Sequence, residues 1–204
     1  ENAVVTIRDT TVSGNRAGNG GIGTAFAQGT ASGGGSGGSG GAIYAAAGAT
    51  LMLQNVDMER NRAGNGGDGG SLAGSSLPGA NTPGGTAGEA GALYLSAGAQ
   101  AEISASLLSV NWAGTGGTPS GSIGTSFPGG NGGAIVAAQT ARLHITGSTI
   151  NENFSGGGVY HGSAGSTDAG HGGGIFIDAD AQARIENCTL TNNRTGEGLE
   201  HFMY

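Results

Sequence analysis

The chain has no lysine, one cysteine and little charge: charged residues make up 10% of its 204 positions, and all seven cations are arginine. Each scarcity excludes something. With a formal net charge of -7, the chain lacks the basic footprint that nucleic acid requires. A single cysteine, Cys188, cannot form an internal disulfide. No apolar run approaches the roughly 18 residues of a membrane span, so membrane insertion is not expected. The opening residues Glu1-Asn2-Ala3-Val4-Val5 have the character of a strand, not of a secretory leader. The chain is therefore expected to be a fragment or a processed section of something longer.

Glycine, by contrast, supplies 47 residues, where the ordinary share is about 7%. Much of the remainder is an internal repeat. An apolar residue followed three positions later by asparagine occurs five times: Val12/Asn15, Met58/Asn61, Leu108/Asn111, Ile150/Asn153 and Leu190/Asn193. Upstream of each stands a pair spaced by two: Val5/Ile7, Leu51/Leu53, Ala101/Ile103, Leu143/Ile145 and Ala183/Ile185. Four copies also carry a small-small-apolar phrase ending at Ile43, Leu93, Ile135 or Ile175. From that residue to the asparagine the interval is 18 in every copy, whereas from the asparagine to the next copy it is 28, 32, 24 and 22. A constant unit with a variable insert at one corner marks a solenoid whose loops leave from one edge.

The apolar residues of the unit alternate, as in Leu51-x-Leu53 and Ile175-x-Ile177. Period two excludes helix and predicts about three short strands per unit. Units stacked in parallel at about 4.8 Å per rung would form one all-β domain over 1–204 with about five rungs. Three apolar columns would build its core. Asn15, Asn61, Asn111, Asn153 and Asn193 would form a structural ladder, their amides hydrogen-bonded along the axis.

After each ladder asparagine comes a glycine-framed phrase such as Gly18-Asn19-Gly20 or Gly64-Asn65-Gly66, and glycines then recur at period three, as in Gly35, Gly38, Gly41 and Gly85, Gly88, Gly91. Period three matches an extended helix of three residues per turn. Two readings are open, flexible linkers or a packed bundle of such helices. Gly66-Gly67-Asp68-Gly69 is similar to part of a calcium-binding nonapeptide, but no tandem nine-residue spacing accompanies it.

Two outward columns stand out. Tyr44, Tyr94, Val136 and Phe176 form an apolar stripe that inserts, a partner protomer or a glycan could cover. Arg16, Arg62, Trp112, Phe154 and Arg194 form an arginine/aromatic stack with potential cation–π contacts, read mainly as ladder stabilisation. Catalysis on such a scaffold needs clustered carboxylates, and the fourteen acids are scattered. The nearest approach is Glu102 and His144 as an acid/base pair, with Arg184 and Glu186 beside them. Solvated cross-strand pairing is the plainer reading. His161, Asp168 and His171 share one insert but match no tight ligand spacing. No catalytic residue, metal or cofactor is assigned.

The phrases Gly40-Gly41-Ala42-Ile43-Tyr44 and Thr11-Val12-Ser13-Gly14-Asn15 resemble those of the right-handed parallel β-helix proteins of bacterial surfaces, such as polymorphic outer-membrane proteins and autotransporter passengers. The glycine-rich inserts resemble the polyglycine II bundles of phage tail-fibre tips and some antifreeze proteins. The resemblance implies a right-handed parallel β-helix located outside the cell or at its surface. It also implies a non-enzymatic structural or adhesive role, in a fibre-forming subunit or a section of an adhesin. Expected partners are other copies, neighbouring repeats of the same chain, or surface glycans. The alternative is a glycan-active enzyme or glycan-binding module on a pectate-lyase-like β-helix.

Overall fold

A computed structural model describes residues 3–24, 31–70, 82–120, 125–161 and 165–196. Among them the regular structure is all strand. The long strands β1 (Val4–Ser13) and β3 (Thr50–Glu59) alternate apolar and polar side chains, so one face of each can be buried. In later copies the same stretch is broken in two: β5 (Gln100–Ser104) and β6 (Leu107–Ser109), β8 (Arg142–Thr146) and β9 (Thr149–Asn151), β13 (Gln182–Glu186) and β14 (Thr189–Thr191). All pair in parallel in one sheet, with Ile7↔Leu53, Leu53↔Ile103, Ile103↔Ile145 and Ile185↔Ile145 in register. A second parallel sheet stacks β2 (Ile43–Ala45), β4 (Leu93–Leu95), β7 (Ile135–Ala137) and β12 (Ile175–Ile177). The short pair β10 (Tyr160–His161) and β11 (Gly165–Ser166) is antiparallel. The parallel sheets curl into a half-barrel, an arrangement compatible with a β-helix-like solenoid.

The core lies where the two sheets face each other. Leu53, Met58, Leu93, Leu95, Ile103, Leu108, Ile135, Ile145 and Ile150 are all essentially inaccessible. Position along the stack decides burial, because a residue with neighbours on both sides loses twice the surface. Met58 and Ile150 are fully buried, while Leu190, in their column at one end, is 49% exposed, and Val5 at the other end 46%.

The corners share one backbone device. Gly14, Arg60, Val110, Glu152 and Asn192 all adopt positive φ, between 51° and 66°. Asp9, Asn55, Ala105, Gly147 and Asn187 form a second such column, and two more run through Ala90 and through Thr140. Left-handed conformation is costly for a β-branched residue such as Val110. It persists there because the next residue, Asn111, is a ladder asparagine held from both sides by Asn61 and Asn153.

The glycine-rich segments pack against one another. Segments leaving the sheet bond in parallel to the next one, as in Gly20 N–H to Asn65 O (2.8 Å) and Gly23 N–H to Asp68 O (2.8 Å). Outgoing and returning segments bond in an antiparallel zigzag: Gly38 to Gly18, Gly64 to Gly38, Gly88 to Gly64, Gly114 to Gly88, Gly130 to Gly114 and Gly156 to Gly130, at 2.8–2.9 Å. Within each segment the bonded residues recur every third position, as in Gly35 and Gly38 or Gly64 and Gly67. That is the repeat of an extended helix with three residues per turn. Glycine is required where the segments meet, because a Cβ on Gly67 would fall on the carbonyl oxygen of Gly21.

Candidate functional site

Several columns of side chains run along the stack, and each is positioned by the parallel register. The first is the asparagine ladder. The Oδ1 of Asn61, Asn111, Asn153 and Asn193 each accepts two bonds from the preceding asparagine, one from its backbone N–H (3.0–3.1 Å) and one from its Nδ2 (2.9–3.0 Å). The second Nδ2 hydrogen goes back to the carbonyl of Val12, Met58, Leu108 or Ile150. Asn61, Asn111 and Asn153 are fully buried and fully bonded.

A second ladder follows the Asp9–Asn187 corner. The backbone N–H groups of Val56, Ser106 and Ser148 donate to Ser106 Oγ, Ser148 Oγ and Cys188 Sγ in turn. Cys188 thus occupies a serine position, and its thiol donates to Glu186 O at 3.0 Å.

In the Arg16, Arg62, Trp112, Phe154, Arg194 column, consecutive members are linked by parallel bridges, and the ring contact is Trp112 on Phe154, with centroids 6.0 Å apart and planes 10° from parallel. In the other aromatic column Tyr44 stacks on Tyr94 at 5.2 Å, and Phe176 meets His171 at 6.4 Å. Val136, expected on the surface stripe, is 1% exposed. The segment through Gly132 passes over it, and a Cβ on that glycine would meet Val136 Cγ2. Of the other members, Tyr44 is exposed, while Tyr94 and Phe176 are half-buried.

The remaining polar cluster lies on the outer face of β5, β8 and β13, above a shallow cavity of about 650 Å³ lined by Gln100, Glu102, Arg142, His144, Gln182 and Arg184. Glu102 is the register neighbour of His144. The hydrogen bond of His144 nevertheless goes to Glu186, from Nε2 to Oε2 at 3.3 Å, while Arg184 donates to Glu186 Oε1 at 2.7 Å. These bonds, Arg184 first and His144 second, hold the Glu186 carboxyl below its ordinary range. A carboxylate kept ionised in this way is a poor general acid, and His144 is engaged by it instead of by Glu102. Among the described residues no group of three or more His, Cys, Asp or Glu side chains could hold a metal ion.

No protein-family model matches the chain, nor does any curated protein or any solved structure.

Sequence reasoning passed over one group, Glu89. It stands in a column of Ser39, Glu89, Asn131 and His171 on the returning glycine-rich segments. Glu89 N–H donates to Ser39 Oγ (3.0 Å), Asn131 Nδ2 to Glu89 Oε1 (2.7 Å), and His171 N–H to Asn131 Oδ1 (2.8 Å). Burial pushes the Glu89 carboxyl above its ordinary range, against the lowering effect of the Asn131 bond. A carboxyl raised by folding favours the protonated state, so its contribution is most favourable at low pH and is lost as pH rises through the folded value. Glu89→Gln keeps the acceptor for Asn131 and removes the charge. Its melting temperature should equal that of the wild type below about pH 4 and exceed it near neutrality. A variant less stable than the wild type at pH 7 would show that the ionised carboxylate is a net stabiliser.

Proposed function

We propose that the chain is a right-handed parallel β-helix of five turns that serves outside the cell, or at its surface, as a non-enzymatic structural or adhesive module. The observation that carries this reading is where the polar chemistry goes. The buried asparagines and serines bond to their own equivalents one turn away, so the side-chain chemistry is committed to propagating the stack. Such a ladder is directional. Each asparagine donates toward the later turn and accepts from the earlier one. Asn15 therefore presents acceptor capacity at one end and Asn193 donor capacity at the other. Val4 and Val5 are exposed on the first turn, Ile185 and Leu190 on the last. Unpaired strand edges over apolar columns template further pairing. Turns of other copies fit both faces, and head-to-tail contacts of this kind generate filaments.

The experiment is light scattering of the 204-residue chain over rising concentration, with electron microscopy of the same samples. Growth of elongated particles supports the fibre reading. A monomer that persists at every concentration sinks it. The glycan-active alternative predicts instead cleavage of an acidic polysaccharide, lost on Glu102→Gln.

A further inference from the structure

The returning glycine-rich segments carry a groove that the assembly reading does not use. It has a volume of about 360 Å³ and lies across three consecutive returns, with Ser39, Thr86, Glu89 and Asn131 among its lining residues. Phe127 and Pro128 add apolar surface, and at Gly37, Ala87 and Gly129 the lining is little more than backbone. We infer that this groove binds the neutral sugar units of a glycan.

The ligand class follows from what the lining offers. Two hydroxyls, one amide and one carboxyl converge there, and none of the lining residues is cationic. Uronates, sulfated sugars, phosphopeptides and nucleic acids would therefore bring negative charge against Glu89 without a counter-charge. An extended peptide adding to the segment edge would need free backbone donors. Those of Gly37, Gly40, Gly129 and Ala90 are already bonded, to Thr86, Glu89, Asp168 and Asn131. A pyranose suits the site, because each hydroxyl is both donor and acceptor and its C–H face packs on an apolar wall. Glu89 spends Oε1 on Asn131, and no group among the described residues bonds its Oε2. Charge-assisted hydrogen bonds from sugar hydroxyls to that oxygen would be the strongest contact available. Asn131 is fixed from both sides, accepting from His171 N–H and donating to Glu89, so the pair is pre-organised.

This inference deepens the adhesive part of the proposed function by naming the ligand, and it can fail separately from self-assembly. The test is titration of the full 204-residue chain by calorimetry with neutral oligosaccharides of gluco, galacto, manno, fuco and N-acetylhexosamine type. Glucosamine and glucuronate oligomers serve as charged comparisons. Saturable binding of at least one neutral sugar is expected, weakened about tenfold or more by Glu89→Gln, the loss expected for one charge-assisted hydrogen bond. Ser39→Ala should weaken it less, and Asp57→Asn, on β3 and outside the groove, should leave it unchanged. A thermal melt of each variant shows that the fold is kept. The inference is overturned if no neutral sugar binds, if only a charged oligomer binds, or if Glu89→Gln binds as the wild type does. Filament growth measured in parallel reports on the assembly reading whatever the sugar result.

Discussion

Asn111→Leu is expected to destabilise the chain by roughly 3–5 kcal/mol, because each buried group left without a partner costs about 1–3 kcal/mol. Asn111 is fully buried. Its Oδ1 accepts from the backbone N–H and Nδ2 of Asn61, both at 3.0 Å, and its Nδ2 donates to Asn153 Oδ1 at 2.9 Å and Met58 O at 3.0 Å. Leucine fills the volume but orphans two donors on Asn61 and removes one bond from the Met58 carbonyl. Asn15→Leu, at the exposed first turn, removes little beyond its own bonds to Asn61 and Ser13, and should cost less than about 1 kcal/mol. Urea unfolding of the two variants checks the contrast, and equal midpoints would remove the ladder as a source of stability. Asn111→Asp adds a pH test. Its second oxygen would face two acceptors, Met58 O and Asn153 Oδ1, so ionisation is unfavourable and the folded carboxyl pKa should be raised. The Asp variant should therefore be most stable in acid and lose stability as pH rises through that value.

Gly67→Ala should cost about 3 kcal/mol, the upper part of the range for forcing atoms into a filled site, and Gly67→Val more. The added Cβ would overlap the Gly21 carbonyl. Neither segment can retreat, because Gly67 N–H is bonded to Gly35 O at 2.8 Å and Gly85 N–H to Gly67 O at 2.7 Å. Gly21 is the matched control. A Cβ there meets nothing within 4 Å, so Gly21→Ala should be neutral, or stabilising by about 0.4–1 kcal/mol through the unfolded chain. Thermal melts of the pair separate the two cases. If both variants melt with the wild type, the glycine-rich segments do not pack as described.

Some of this was legible before any coordinates. The constant 18-residue interval implied that equivalent residues stack, and parallel pairing such as Leu93↔Ile135 and Leu108↔Ile150 is what a constant interval produces. Period-three glycine marked the segments that bond every third residue. His144 was harder to read. Register places it beside Glu102, but its ring reaches diagonally to Glu186, and a side chain's choice between a direct and a diagonal neighbour is not written in spacing.

The sequence by itself determined the all-strand character, the parallel stacking and the identity of the columns, because period two and a constant unit length allow few other ways to bury the apolar residues. The tertiary structure alone decided the corners, the cover over Val136 and the environment of Glu89. Val110, Ala90 and Thr140 carry no turn signal, yet each is held at positive φ. Glu89 reads as an ordinary surface acid until the returning segments of neighbouring turns close around it. These outcomes depend on which backbone passes within bonding distance of a residue some 40 to 50 positions away in sequence. The inserts between the turns set that geometry, and their lengths vary while the unit does not.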